Sequence, residues 1–128
     1  MADLAVLDSS AVLAVFLSER GSAIVAPILQ GALISTVNVA EVHARLIALG
    51  ARADHAWDRL QSVQCEVCLF TADQARTAAE LKVITRAYGL SLGDRACLAL
   101  AIDRKATVYT TDKIWMSLNL GINVEVIR

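Results

Sequence analysis

The sequence predicts an α/β fold, with a mainly parallel sheet between helices on both faces, and two observations predict it. Short apolar runs of strand length alternate along the chain with longer segments whose apolar residues recur at helical spacing. The first run, Leu4–Leu7, is apolar throughout, as a strand covered on both sides requires. Strand–helix alternation of this kind stacks into three layers, α/β/α, because each strand pair is joined by a crossing helix. The crevice beyond the carboxyl ends of the strands is where such folds bind ligands.

Each element follows from local chemistry. Leu4–Leu7 is the first strand. Ser10–Glu19 carries apolar residues at helical spacing and stops near Gly21. Ser22–Gln30 is a second short helix that Pro27 kinks or makes irregular. Ala32–Ser35 is a strand, and Val39–Leu49 a helix closed by Gly50. Arg52–Val63 is helical with a charged face, and Cys65–Leu69 is a strand. Thr71–Tyr88 is one helix, opened by the capping pair Thr71 and Gln74 and closed by Gly89. Ser91–Lys105 is the next helix, Thr107–Thr110 a strand, and Asn123–Ile127 the final strand.

With 128 residues and no repeat or linker, residues 1–128 are expected to form a single domain with a real core. Hydrophobic residues make up 56% of the chain and mean hydropathy is +0.53. Yet no window holds the roughly 18 uninterrupted apolar residues of a spanning helix. Asp3 and Asp8 occupy the region where a signal segment would be basic and then apolar. A soluble cytoplasmic protein with no membrane partner is expected, its excess apolar surface pointing to a partner or to self-association. The net charge of −1 excludes a strongly basic, non-specific nucleic-acid coat.

The odd count of three cysteines argues against a disulfide framework. Cys65 and Cys68 form a CxxC, but in a strand-like run, where positions three apart point to opposite faces. No second pair completes a zinc site, so they are expected to act as small buried hydrophobes.

Four acids stand out. Asp8, Glu41, Asp94 and Asp112 each lie where an apolar run meets a small or hydroxyl-bearing residue, and a buried unpaired carboxylate is costly. Asp8 ends the first strand and Asp112 follows Thr107–Thr110. Glu41 and Asp94 fall in the first turns of helices, so all four can meet at one edge of the sheet. Each also has a capping role open to it: Asp8 and Asp112 as N-caps, Glu41 in Asn38-x-x-Glu41 and Asp94 in Ser91-x-x-Asp94 as capping boxes. Caps do not account for four acids at one edge, and clustered like charges call for a cation among them. Carboxylate oxygens suit Mg²⁺ or Mn²⁺. Setting the four aside leaves nine acids against 12 basic residues, a balance that a nucleic-acid substrate tolerates.

Ser9, Ser10, Asn38 and Thr111 flank the acids and either orient them or satisfy local backbone. Ser10, Asn38 and Thr111 are the favoured supporting residues. Trp115 is expected in the core, His43 and His55 outside the site, and Arg95 either at a phosphate or on an exposed helix face.

The segments VLDSSAVLA at 6–14, STVNVAEV at 35–42, LSLGDRACLALA at 90–101 and TTDKIW at 110–115 resemble PIN-domain ribonucleases, and among them VapC-type toxins of toxin–antitoxin pairs. The resemblance covers nearly the whole chain, with no departure at the four acids. It implies a compact α/β/α sandwich that acts as a Mg²⁺- or Mn²⁺-dependent endoribonuclease, with metal-activated water attacking the phosphodiester. It implies Asp8 and Asp94 as the main metal ligands, and Glu41 and Asp112 as holding metal waters or a second ion. It further implies a homodimer bound by a VapB-type antitoxin in a heterotetramer or larger assembly. Two alternatives remain: a PIN-type RNA-processing nuclease that is not a toxin, and a receiver-like signalling module that binds Mg²⁺ without cleaving RNA. The second wants adjacent acids near the first strand, which this chain lacks.

Overall fold

The computed structural model describes residues 4–128; Met1, Ala2 and Asp3, the last of them part of the case against a signal segment, lie outside it. Among the described residues five strands form one wholly parallel sheet: β1 (Ala5–Leu7), β2 (Leu33–Ser35), β3 (Glu66–Cys68), β4 (Thr107–Thr110) and β5 (Val124–Val126). Their order is β3-β2-β1-β4-β5. β1 is central, pairing Val6 with Leu33 on one side and with Val108 on the other.

Side chains alternate along the strands and divide the core in two. Leu7 and Ile34 point into a cluster with Val12, Val25, Val42 and Leu46. Val6, Leu33 and Val108 point the other way, onto Leu98, Leu100, Ala101 and Trp115. The first cluster is covered by α1 (Ser9–Phe16), α2 (Ser22–Val25), α3 (Thr36–Ala48) and α4 (Ala53–Ser62). The second is covered by α5 (Ala72–Ile84) and α6 (Leu92–Arg104). The predicted α/β/α sandwich is therefore the observed architecture. Cys65 and Cys68 fall in opposite clusters, as strand alternation requires, but both are only half-buried. Trp115 is fully buried.

Several boundaries differ from expectation; α1 already stops at Phe16, three residues before the predicted Glu19. α3 begins at Thr36, three residues before the predicted Val39, because Ser35 caps it by accepting the Val37 N–H at 3.2 Å. The expected Asn38–Glu41 capping box is therefore absent: Asn38 is already helical and Glu41 lies in the second turn. The helix predicted over Thr71–Tyr88 ends at Ile84, where the buried Thr85 hydroxyl turns back to the Leu81 carbonyl at 2.6 Å. A 3₁₀ turn, Arg86–Tyr88, and left-handed Gly89 follow. Thr71 caps α5 through the Gln74 N–H, but the Gln74 side chain bonds Asp103 instead of returning to Thr71. Ser22–Gln30 resolves into the single turn of α2 and a 3₁₀ turn that contains Pro27. Among the described residues no helix is long and apolar enough to cross a membrane.

Candidate active site

The candidate site begins at the carboxyl end of β1. Extending the β1–β4 register by one residue sets Asp8 beside Thr110, and alternation turns both to the face that α6 covers. Asp8 is 5% exposed and both of its carboxylate oxygens accept hydrogen bonds. Oδ1 accepts the Ala11 N–H at 2.8 Å, as the N-cap of α1, and the Ser10 hydroxyl at 2.7 Å. Oδ2 accepts the Thr110 hydroxyl at 2.5 Å. Both hydroxyls in turn accept backbone N–H groups, Ser10 from Thr111 and Thr110 from Asp112, at 3.0 and 3.1 Å. The segment after β4 is thus tied to Asp8 by two hydroxyl bridges. Burial pushes the Asp8 carboxyl up to about 6, with the Asp94 charge adding to the rise and the three hydrogen bonds opposing it.

Glu41 and Asp94 arrive from α3 and α6. Glu41 Oε1 accepts from the Ser9 hydroxyl at 2.5 Å and from the Asn38 carboxamide at 2.9 Å. The same Asn38 Nδ2 reaches the Gly93 carbonyl at 3.1 Å, joining α3 to the residue before Asp94. Asp94 closes a capping box: Ser91 Oγ accepts the Asp94 N–H at 3.2 Å, and Asp94 Oδ2 accepts the Ser91 N–H at 3.0 Å. One turn further along α6, Cys97 is fully buried. Burial raises its thiol well above the ordinary range, and the charges of Asp8, Asp94 and Glu41 all act on it in the same direction. Ser9, the chain neighbour of Asp8, bonds Glu41, and the Glu41 carboxylate lies against Gly93, the chain neighbour of Asp94, so the three acids come from three elements that meet at one edge. Asp112 stays at the margin, exposed, its Oδ1 capping a 3₁₀ turn (Lys113–Ser117) through the Ile114 N–H at 3.0 Å.

Among the supporting residues, Ser10 and Asn38 reach the acids directly. Thr111 joins the network through its backbone N–H, and Thr110 supplies the hydroxyl that Thr111 was expected to give. Strand alternation was the signal for Thr110. Ser9 and Gly93 also belong to the site. Arg95 is not the exposed helix arginine of the second expectation: it is half-buried and its guanidinium donates to the Ala78 and Leu90 carbonyls. His43 lies away from the acids, its Nε2 2.9 Å from the Ala53 carbonyl and its ring against Trp57. His55 is exposed.

Among the described residues no three acids, histidines or cysteines already surround a common point as metal ligands. The donor set is nevertheless one of hard oxygens, carboxylates with hydroxyls and a carboxamide, which suits Mg²⁺ or Mn²⁺ far better than a soft ion.

The chain belongs to the PIN-domain family, whose model matches residues 5–118. PIN domains are nucleases, which sets the class as a hydrolase acting on nucleic acid. No curated protein matches it by sequence. Its fold is similar to a toxin–antitoxin complex from Klebsiella pneumoniae, at a TM-score of 0.75 and 17% identity over 98% of each chain. It is similar to VapBC2 from Rickettsia felis bound to a promoter DNA fragment, at 0.71 and 18% identity over 95% of this chain and 97% of that one. It is also similar to VapBC-5, of the VapBC family of toxin–antitoxin systems, from Mycobacterium tuberculosis, at 0.61 and 25% identity over 99% of each chain.

Proposed function

We propose that this protein is a Mg²⁺- or Mn²⁺-dependent endoribonuclease, the VapC-type toxin of a toxin–antitoxin pair. The observation that carries the reading is the contact network that brings Asp8, Glu41 and Asp94 together from three separate elements, through Ser9, Asn38 and Gly93, with Asp112 tied to Asp8 through Thr110. Like charges brought together at the edge of an apolar core are stable as a set when a cation sits among them. The toxin–antitoxin complexes among its structural relatives support the toxin role and a VapB-type antitoxin as partner; a homodimer as the toxin unit belongs to the same proposal.

In this reading Asp8 and Asp94 hold the ion, while Glu41 and Asp112 hold its waters or a second ion. When bound, such an ion lowers the pKa of water and stabilises the leaving oxygen of a phosphodiester. The chain's own residues preorganise the pocket. Ser10, Thr110 and the Ala11 N–H fix both Asp8 oxygens, so that little reorganisation is required on binding. Asn38 and Ser9 hold Glu41 by one oxygen and leave Oε2 available.

Purified protein incubated with structured RNAs should cleave them with Mg²⁺ or Mn²⁺, stop in chelator, and lose activity as Asp8→Asn. Induced expression should arrest bacterial growth, and Asp8→Asn should not. Cleavage that survives both chelator and substitution would overturn the reading.

A further inference from the structure

The proposal concerns Gly93, in the first turn of α6. Glycine there gives up helix stability relative to alanine, and its φ lies outside the left-handed region that would call for glycine. The buried residue meets one neighbour instead. A Cβ built on Gly93 would overlap both oxygens and Cδ of the Glu41 carboxylate, and those three atoms are its nearest contacts. Glu41 is held in that position by Ser9 Oγ and Asn38 Nδ2, and Asn38 also bonds the Gly93 carbonyl.

We propose that Gly93 is a positioning residue: its bare Cα is the seat on which the Glu41 carboxylate rests beside Asp94, and any side chain there would turn Glu41 out of the acidic pocket. The inference rests on the metal-nuclease reading and adds to it the steric condition that lets an acid from α3 join one from α6. The clash falls on the far end of a flexible side chain on an exposed residue, so the helix can accept a methyl group by releasing Glu41. The cost then appears in the site and not in the fold.

Gly93→Ala therefore separates site from fold. Its urea midpoint should equal or exceed that of the wild type, as expected of alanine in a helix. Its affinity for Mn²⁺, measured by calorimetry without RNA, should fall roughly 10- to 100-fold, the range for loss of a group that orients a ligand. In a Glu41→Ala background the same Gly93→Ala change should alter Mn²⁺ affinity by less than about twofold, since no carboxylate is left to displace. Glu41→Asp, one methylene shorter, should recover part of the loss in the Gly93→Ala protein.

An equal loss with and without Glu41 would overturn the seat, as would wild-type Mn²⁺ affinity in Gly93→Ala. A Gly93→Ala protein that unfolds, and whose fold Glu41→Ala does not restore, would do the same. Wild-type protein that binds no Mn²⁺ would instead remove the metal-nuclease reading on which the seat depends.

Discussion

Thr110 shows how much one hydroxyl can hold. It donates to Asp8 Oδ2 and accepts the Asp112 N–H, so a single side chain links the first and last acids of the candidate site. Thr110→Val keeps the shape but leaves a buried carboxylate oxygen and a backbone N–H without that partner. Such losses cost about 1–3 kcal/mol, and the expected outcome is a lower urea midpoint by that amount, with Thr110→Ser close to wild type. A midpoint unchanged in Thr110→Val would mean that the bridge carries no stability. The acids themselves were legible in the sequence because carboxylates in apolar runs are conspicuous. Nearness to Asp112 favours Thr111 in the sequence, whereas alternation from the inward Val108 points to Thr110. Gly93 was not legible at all: its reason is a contact with Glu41, 52 positions earlier, which only the packed fold reveals.

At the level of elements, α6 carries two demands on one residue. Asp94 closes the capping box with Ser91 and also follows Gly93, against which the Glu41 carboxylate lies. The two roles separate by substitution. Ser91→Ala removes the hydroxyl that receives the Asp94 N–H and should cost about 1 kcal/mol of stability, with Mn²⁺ affinity changed much less than in Asp94→Asn. Asp94→Asn keeps an oxygen for the Ser91 N–H, so its stability should stay near wild type while Mn²⁺ binding is lost. Equal loss of Mn²⁺ binding in the two variants would show that the cap, and not the carboxylate charge, sets the site. The box was readable because a serine three residues before an acid opens a helix in the usual way. The start of α3 was not: Ser35 closes a strand and caps a helix at once, and the β-branched Thr36 and Val37 that follow disguise the first turn. The break after α5 was hidden likewise, since Thr85 ends it by a hydrogen bond to its own helix.

Across the whole molecule, the strand order β3-β2-β1-β4-β5 places the switch of chain direction beside β1, where the crevice of a doubly wound sheet opens. Asp8 directly follows β1 and Thr110 ends β4, so the candidate site lies where the topology alone would put it, and that much follows from reading Leu4–Leu7 and Thr107–Thr110 as parallel strands. Position in the crevice has a global consequence, because Asp8 is buried there. Its carboxyl titrates at about 6 in the folded chain against an ordinary 3.8, raised mainly by burial. The folded state then binds more protons than the unfolded one between those values, so stability from this group is full below about pH 4 and falls as pH rises through 6. At about 1.4 kcal/mol per pH unit the difference is on the order of 3 kcal/mol. In chelator, urea midpoints should decline from pH 4 to pH 7, and Asp8→Asn should decline less by that amount. Mg²⁺ or Mn²⁺ binds the ionised carboxylates of the folded chain, and at a hundredfold excess over Kd returns about 2.7 kcal/mol. The stabilisation by metal should therefore be small at pH 4, largest near pH 7, and absent in Asp8→Asn. A wild-type midpoint that falls no more steeply with pH than that of Asp8→Asn, or metal stabilisation that persists in Asp8→Asn, would place the buried charge and the cation somewhere other than at Asp8.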